Sequence, residues 1–305
     1  MTTFAVIGFP LDHTLSPTFH NYLFDRLGLD ARYRALETTP GELGKVAQQL
    51  RDGELSGINI TRPHKSAFLT YLDRIAPEAL PVGAVNCVAM DRGELVGYNT
   101  DLAGLTYALT GANFPIAGSR VLLLGAGGAA RAALTVLRQQ GAAQICVAGR
   151  RVVSVQQFIG SFPRDGGVTT LKAEQLDAAL DTTPYQLIIN ATPVGLWPQT
   201  DAAVLVEDQL HRGQTVLDMV YHPENTLLLQ RAKAQGSRII PGLDMFIGQG
   251  LASLRHWFPG VLAHDNGVGN IPSNFQVSAL KTVLLTALEN HATETQPARL
   301  SADRP

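Results

Sequence analysis

Along the first hundred residues, short apolar runs alternate with amphipathic stretches. FAVI (4–7) reads as a strand ending at Gly8. Ser16-Pro17 then reads as a helix N-cap with proline at the first helical position. Phe19, Tyr22, Leu23 and Leu27 fall on one helical face behind it, and Gly28 can close the helix. ARYRAL (31–36) is the next predicted strand, 43–50 a helix, GINI (57–60) a strand and 66–75 a helix. AVNCVAM and ELVGY predict a hairpin around Asp91-Arg92-Gly93.

From Ser119 the texture becomes a repeating strand-then-helix pattern. VLLL (121–124) is apolar at every position, as a strand buried on both faces of a parallel sheet must be. A helix is predicted over 129–140 with Gly141 past its end, and strands at ICVA (145–148), LIIN (187–190), TVLD (215–218) and RII (238–240). A further helix is predicted over 227–235, ahead of Gly236. The pattern is that of a doubly wound α/β fold. After Gly242 the chain turns helical, through MFIGQGLASLRHWF and VSALKTVLLTALENH. Without further strands these helices cannot extend the parallel sheet, so they are expected to return to the first domain. The fold class expected is therefore α/β: a discontinuous N-terminal α/β substrate domain (1–104 plus 243–290) and a Rossmann-type doubly wound dinucleotide-binding domain (105–242). The polar, proline-containing stretch from about Ala292 reads as a disordered tail, 291–305.

Composition narrows the function without naming it. With 45% hydrophobic and 16% charged residues, the 305-residue chain is not a disordered one. A formal net charge of −2 gives no global attraction to nucleic acid or anionic membrane, so any anion must be bound by a local arrangement. Cys87 and Cys146 each sit in an apolar run and read as buried structural thiols, with no metal-ligand spacing. The first residues lack the pattern of a secretory leader, and the apolar run around 121–137 is broken by glycines and Arg131. The expected location is the cytoplasm.

Gly125-Ala126-Gly127-Gly128-Ala129-Ala130 follows an apolar strand and opens a helix, the context that a G-x-G-x-x-G/A dinucleotide fingerprint requires. Its glycines permit a tight turn and close approach of backbone N–H groups to a pyrophosphate, at a helix end that favours negative charge. The following strand ends in Gly149-Arg150-Arg151, where an NAD site would carry an acidic residue. Two guanidiniums there suit a ribose 2′-phosphate. The alternative is a solvated basic turn. NADP is the expected cofactor, with NAD left open.

The first domain carries an ordered set of further motifs: Gly8 to Asn21 (GFPLDHTLSPTFHN), Asn59 to Lys65 (NITRPHK), Gly83-Ala-Val-Asn86 and Gly97 to Asp101 (GYNTD). With the later Asn190 to Gly195 (NATPVG), Asp218 to Tyr221 (DMVY) and Pro241 to Gln249 (PGLDMFIGQ), the chain resembles the shikimate dehydrogenase family up to about residue 285. The resemblance implies reversible NADP-linked reduction of 3-dehydroshikimate to shikimate, with Lys65 and Asp101 at the reacting oxygen. A buried lysine can shuttle the hydroxyl proton while an aspartate orients it. It also implies that Thr14, Ser16, Asn59, Thr61, Asn86, Tyr221 and Gln249 contact substrate, the hydroxyls of Thr14 and Ser16 receiving its carboxylate. Thr192, Val220 and Gly242 join the glycine loop, Arg150 and Arg151 as cofactor contacts.

Read singly, these residues have plainer explanations. Ser16 and Asp101 could be N-caps, and Lys65 could be a solvated side chain at a helix start. The family pattern is also interrupted. Thr14 stands where serine is usual, Arg62 and His64 where smaller apolar and aromatic residues are typical, and Leu102 and Asp244 where glycines are common. Gly149 and Arg151 replace a common asparagine and threonine. Arg62 and His64 would set extra positive charge beside Lys65. These departures keep a quinate/shikimate dehydrogenase, or a related paralogue using NAD, in view. A catalytically idle ligand-sensing module is the other class, and the Lys65/Asp101 pair argues against it. The expected partner is a small cyclic hydroxy acid rather than nucleic acid or membrane, in a monomer or homodimer. Joints near 102–118 and 242–245 would leave a cleft able to close.

Overall fold

The strand β1 (Thr2–Gly8) alternates its side chains between two apolar layers. Phe4 and Val6 enter one buried cluster and Ala5 and Ile7 another, which is the period-2 consequence of a strand covered on both faces. In the computed structural model, which describes residues 1–11, 14–162, 167–171, 185–261 and 276–294, β1 is the second strand of a six-stranded mixed sheet. The order is β2 (Ala31–Glu37), β1, β3 (Gly57–Ile60), β5 (Cys87–Asp91), β6 (Glu94–Tyr98), β4 (Arg74–Ile75). β1 pairs parallel with β2 and β3, and helices α1 (Ser16–Leu27) and α2 (Leu43–Arg51) supply the returns. β5 and β6 form the antiparallel hairpin that the sequence predicts.

Three local expectations change. Over 66–75 the chain makes only a 3-10 turn, Ala67–Tyr71, and then extends at Leu72 into β4. The pull of the sheet edge exceeds the helical tendency there: Asp73 N–H donates to the Leu95 carbonyl, and the Asp73 carboxylate accepts from Leu95 N–H and from Arg51. Ser16 is not the N-cap of α1. Leu15 holds that position and Ser16 is already inside the helix, so its hydroxyl is not bonded to a helix N–H. The last helix runs to Glu294 rather than ending near His291, and the remaining predicted tail, 295–305, lies outside the described residues.

The second sheet is wholly parallel, in the order β12 (Arg238–Ile240), β11 (Thr215–Asp218), β10 (Leu187–Asn190), β7 (Arg120–Leu124), β8 (Gln144–Ala148), β9 (Val168–Leu171). The edge strand β9, with its two threonines, carries too little apolar signal to be seen in the sequence. In β7, Val121 and Leu123 face one cluster with α4 (Gly128–Gln139), while Leu122 and Leu124 face the other. Helices α5 (Val152–Gly160) and α6 (Leu227–Ala234) complete the winding among the described residues. The strand order reverses between β7 and β10, and ligands of open α/β sheets bind outside the strand ends at such a switch.

Two helices lie between the sheets. α3 (Asp101–Gly111) crosses α7 (Gly242–Trp257) with Gly104 and Gly248 at the contact. A Cβ on Gly104 would stand 2.6 Å from the Met245 carbonyl, and one on Gly248 2.6 Å from Tyr107 Cβ, so neither position has room for a side chain. Helix α7 and helix α8 (Val277–Glu294) cover the Phe4/Val6 face of the first sheet through Leu243, Phe246, Leu254, Leu280 and Leu284. Asp244, in the first turn of α7, pairs with Lys281 and ties the two helices together, which accounts for an acid where the sequence pattern leads one to expect glycine.

Candidate active site

The crevice begins where β3 ends. Its last turn brings Lys65 against the start of α3, and Lys65 Nζ donates to Asp101 Oδ2 at 2.6 Å. The other carboxylate oxygen, Oδ1, accepts from Asn86 Nδ2 at 2.7 Å. Asn86 Oδ1 in turn accepts from Thr100 N–H at 2.6 Å and from the Thr100 hydroxyl. Asp101 is therefore not a cap. It is the first residue of α3, its N-cap is Thr100, and both its oxygens are held by side chains. Lys65 is part-buried and ion-paired rather than solvated.

Further side chains hold this pair from below. Tyr33 OH donates to Asn59 Oδ1 at 2.8 Å, and Asn59 Nδ2 donates to the Asn86 carbonyl and to Ser253 Oγ. With both amide protons of Asn59 engaged, its open capacity is as an acceptor, whereas Asn86 keeps one N–H free to donate. His20 lies stacked on Tyr33, ring centroids 4.3 Å apart. Burial lowers its pKa to about 3, against a smaller opposing hydrogen bond with Asn59, so the ring is neutral at physiological pH. Burial likewise pushes the Tyr33 phenol and the Cys87 thiol up, the latter to about 12.

The other expected substrate contacts come from several elements. Thr14 and Ser16 sit side by side, with their hydroxyls 3.3 Å apart. Thr61 follows β3, its methyl against the Gly8 backbone. Tyr221 comes from the far sheet, its ring 4.9 Å from Phe246; burial raises the phenol pKa and the Arg62 guanidinium lowers it. Gln249 is turned back on α7, its Nε2 donating to the Phe246 carbonyl. The buried His64 ring is turned to the Thr38 carbonyl, 2.6 Å from its Nε2. Leu102 fills the apolar layer shared by α3 and α4.

On the opposite wall, Gly125 adopts φ +119° and stands so close to Ala191 that a Cβ would meet its carbonyl at 2.9 Å. Only glycine fits that turn. Gly127 is the N-cap of α4 and offers no side chain to its orphan N–H groups, and a Cβ on Gly127 would point into open space. Uncapped N–H donors at the start of a 12-residue helix, with room in front of them, fit the pyrophosphate of a dinucleotide. Ala126, Ala129 and Ala130 keep the loop free of bulk, with Ala130 buried. Arg150 and Arg151 are exposed at the end of β8, Arg151 serving as N-cap of α5. The Thr192 hydroxyl is folded inward, donating to Asn190 Oδ1 and accepting from Val194 N–H. Val220 N–H donates to buried Asp218, and Gly242 abuts the Val220 carbonyl. Desolvation raises the Asp218 pKa to about 6, opposed by hydrogen bonds from Thr226, Val220 and Asn190.

The two walls meet. A Cβ on Gly128 would lie 3.7 Å from Lys65 Cδ, so the ion pair faces the dinucleotide loop directly. Arg131 of α4 also reaches across and donates to the Val82 carbonyl. Tyr33, Thr100, Ser253 and Arg131 are partners that the sequence does not announce. Ser253 is 194 positions from the asparagine it holds, and nothing in local spacing could reveal that.

Residues 6–88 match a family model described as the shikimate dehydrogenase substrate binding domain, and residues 108–195 one described as shikimate / quinate 5-dehydrogenase. A shikimate dehydrogenase (NADP(+)) of Bacillus cereus is 39% identical over 255 residues, covering 83% of this chain and 91% of that protein. The crystal structure of shikimate 5-dehydrogenase from Thermus thermophilus, in complex with NADP(H) and shikimate, superposes with a TM-score of 0.77 at 31% identity, over 95% of this chain and all of the other. A ligand-free 5-ketofructose reductase of Gluconobacter sp. is also similar, with a TM-score of 0.77 at 28% identity, over 95% of this chain and 98% of that one.

Proposed function

The chain belongs to the shikimate dehydrogenase family, and from that premise we propose that it catalyses the reversible NADP-linked interconversion of 3-dehydroshikimate and shikimate. The observation that carries the reading is the Lys65–Asp101 pair standing against the glycine loop at Gly128. A nicotinamide dinucleotide held by the glycine loop there would supply the hydride acceptor, or donor, for the ring carbon. In the direction of oxidation, the amine form of Lys65 takes the hydroxyl proton as the C–H electron pair leaves; in reduction the ammonium form gives it back. Asp101 accepts from Lys65 Nζ and keeps it in reach of that hydroxyl, while Asn86 fixes the carboxylate. Asn59 accepts from a second ring hydroxyl and Asn86 donates to one. Thr14 and Ser16 donate to the ring carboxylate, with Thr61, Tyr221 and Gln249 closing the pocket.

On the cofactor side, residues 125–130 hold the pyrophosphate, Arg150 and Arg151 bind the 2′-phosphate, and Thr192, Val220 and Gly242 line the nicotinamide end. The substrate domain comprises 1–104 with 243–290 and the dinucleotide domain 105–242, closing about the α3/α7 crossing to exclude water during transfer. We place the enzyme in the cytoplasm, as a monomer or homodimer. Among the described residues no helix is long and apolar enough to cross a membrane.

The test is a spectrophotometric matrix of shikimate and quinate against NADP and NAD, following reduced cofactor. The expected result is fastest turnover with shikimate and NADP. Faster turnover of quinate would transfer the reading to the second acid, and no turnover in any combination would overturn it.

A further inference from the structure

A short segment, residues 82–86, has contacts on both walls of the crevice. Asn86 Nδ2 donates to Asp101 Oδ1 at 2.7 Å, and Val85 N–H donates to the Lys65 carbonyl at 2.9 Å. The segment therefore holds the backbone of one member of the ion pair and the carboxylate of the other. Its near end belongs to the opposite wall. Val82 and Ala84 are buried in the apolar cluster that contains Ala130 and Ala133 of α4. Apolar contact is non-directional and would let the segment slide. A hydrogen bond sets its register: Arg131 Nε donates to the Val82 carbonyl.

Arg131 is itself firmly placed. Its N–H closes the first turn of α4 on the Gly127 carbonyl at 3.0 Å, and its Nη1 donates to Ser161 Oγ at 2.9 Å. The guanidinium lies over the Phe158 and Phe162 rings, 5.9 and 5.0 Å from their centroids. Gly83, at φ +64°, leaves room for it, since a Cβ there would stand 3.1 Å from Nη2. We propose that Arg131 is a positioning residue, a tether that keeps Lys65 and Asp101 in register with the dinucleotide loop through residues 82–86. The proposal rests on the shikimate dehydrogenase reading above and adds a residue that acts on the reacting oxygen through others. A misplacement of about 1 Å between reacting groups can cost on the order of 100-fold in rate, so such a tether matters to turnover.

The test combines steady-state kinetics with hydrogen exchange of the peptide spanning 82–86, in the wild-type protein, Arg131→Met, Arg131→Lys and Ser161→Ala. Methionine keeps an apolar stem over the two phenylalanines and removes the donors, whereas lysine restores one donor. Arg131→Met should lower kcat for shikimate with NADP by roughly 10–100-fold, while KM for either changes by less than about threefold. Its 82–86 amides should exchange about 10-fold faster or more, the effect of one lost hydrogen bond from a charged donor. Arg131→Lys should recover most of both. Ser161→Ala, at an exposed position that loosens only the Nη1 anchor, should shift both in the same direction by less, and carries the test if Arg131→Met does not fold. Near-normal kcat in folded Arg131→Met, a loss confined to KM for NADP, or unchanged exchange over 82–86 overturns the inference and leaves the reaction in place. A wild-type protein that does not turn shikimate over overturns the reaction; exchange over 82–86 then still decides the tether, upheld if faster in Arg131→Met and overturned if not.

Discussion

The wall formed by β7, β10 and α4 offers a ligand mostly backbone, whereas the wall formed by β1, β3 and α3 offers it side chains that are themselves held by side chains. On the first, Gly125 and Gly127 clear the space and the open N–H groups of α4 face it. On the second, Lys65, Asp101, Asn86, Asn59 and Tyr33 form one chain of hydrogen bonds that reaches α7 at Ser253. A backbone site recognises what all dinucleotides share. A side-chain site can be tuned to one ring and one reacting oxygen, but each member depends on the next.

The largest effect should come from the side-chain wall. Lys65→Ala is expected to lower turnover by about 10²–10⁴-fold, the range of a lost general acid/base, with the fold intact by circular dichroism. Near-normal kcat in a folded variant would remove Lys65 from the chemistry. The backbone wall should be sensitive chiefly at its two arginines. Arg150→Ala and Arg151→Ala are each expected to reduce the preference for NADP over NAD by roughly 10–100-fold in kcat/KM, with NAD turnover little changed. Equal losses with both cofactors would mean that the arginines do not read the 2′-phosphate.

The two walls should also respond to pH with opposite sign. His20 is kept neutral in the folded protein down to about pH 3, while the unfolded chain takes up its proton near 6.5. Its contribution to stability is therefore lost as pH falls through that window. Asp218 keeps its proton in the fold up to about pH 6, while the unfolded chain releases it near 3.8, so its contribution is lost as pH rises from 3.8 to 6. Each slope is at most about 1.4 kcal/mol per pH unit. Denaturant unfolding between pH 4 and 7 should show His20→Phe flattening the acid loss and Asp218→Asn flattening the opposite one. The same sign in both variants would contradict the burial of one of the groups.

The smallest effect expected is Tyr33→Phe. Removing the donor to Asn59 should cost about 1–3 kcal/mol, read as a lower Tm together with a raised KM for shikimate at nearly constant kcat. A fall in kcat alone would mean that Tyr33 acts on the chemistry instead.

The same contrast explains what could be seen in the sequence. The parallel sheet was legible because fully apolar runs such as Val121–Leu124 and glycines at fixed offsets express backbone geometry locally. Lys65 and Asp101 were visible only as members of an ordered motif set, since nothing local distinguishes Asp101 from a cap or Lys65 from a surface lysine. Their 2.6 Å contact spans 36 positions, that of Tyr33 with Asn59 spans 26, and that of Ser253 with Asn59 spans 194. Ser16 and the segment after Ser66 were misplaced for a related reason. Local capping and helical patterns were overruled by a neighbouring hydroxyl in one case and by strand pairing in the other.

The most direct test of the central claim is a crystal structure of this protein with NADP and shikimate bound together. The account predicts one ring hydroxyl within about 3 Å of both Lys65 Nζ and the Asp101 carboxylate, the ring carboxylate at Thr14 and Ser16, and the pyrophosphate on the N–H groups that begin α4. A ring bound with its carboxylate on Lys65, or with no hydroxyl in reach of the Lys65–Asp101 pair, would contradict it.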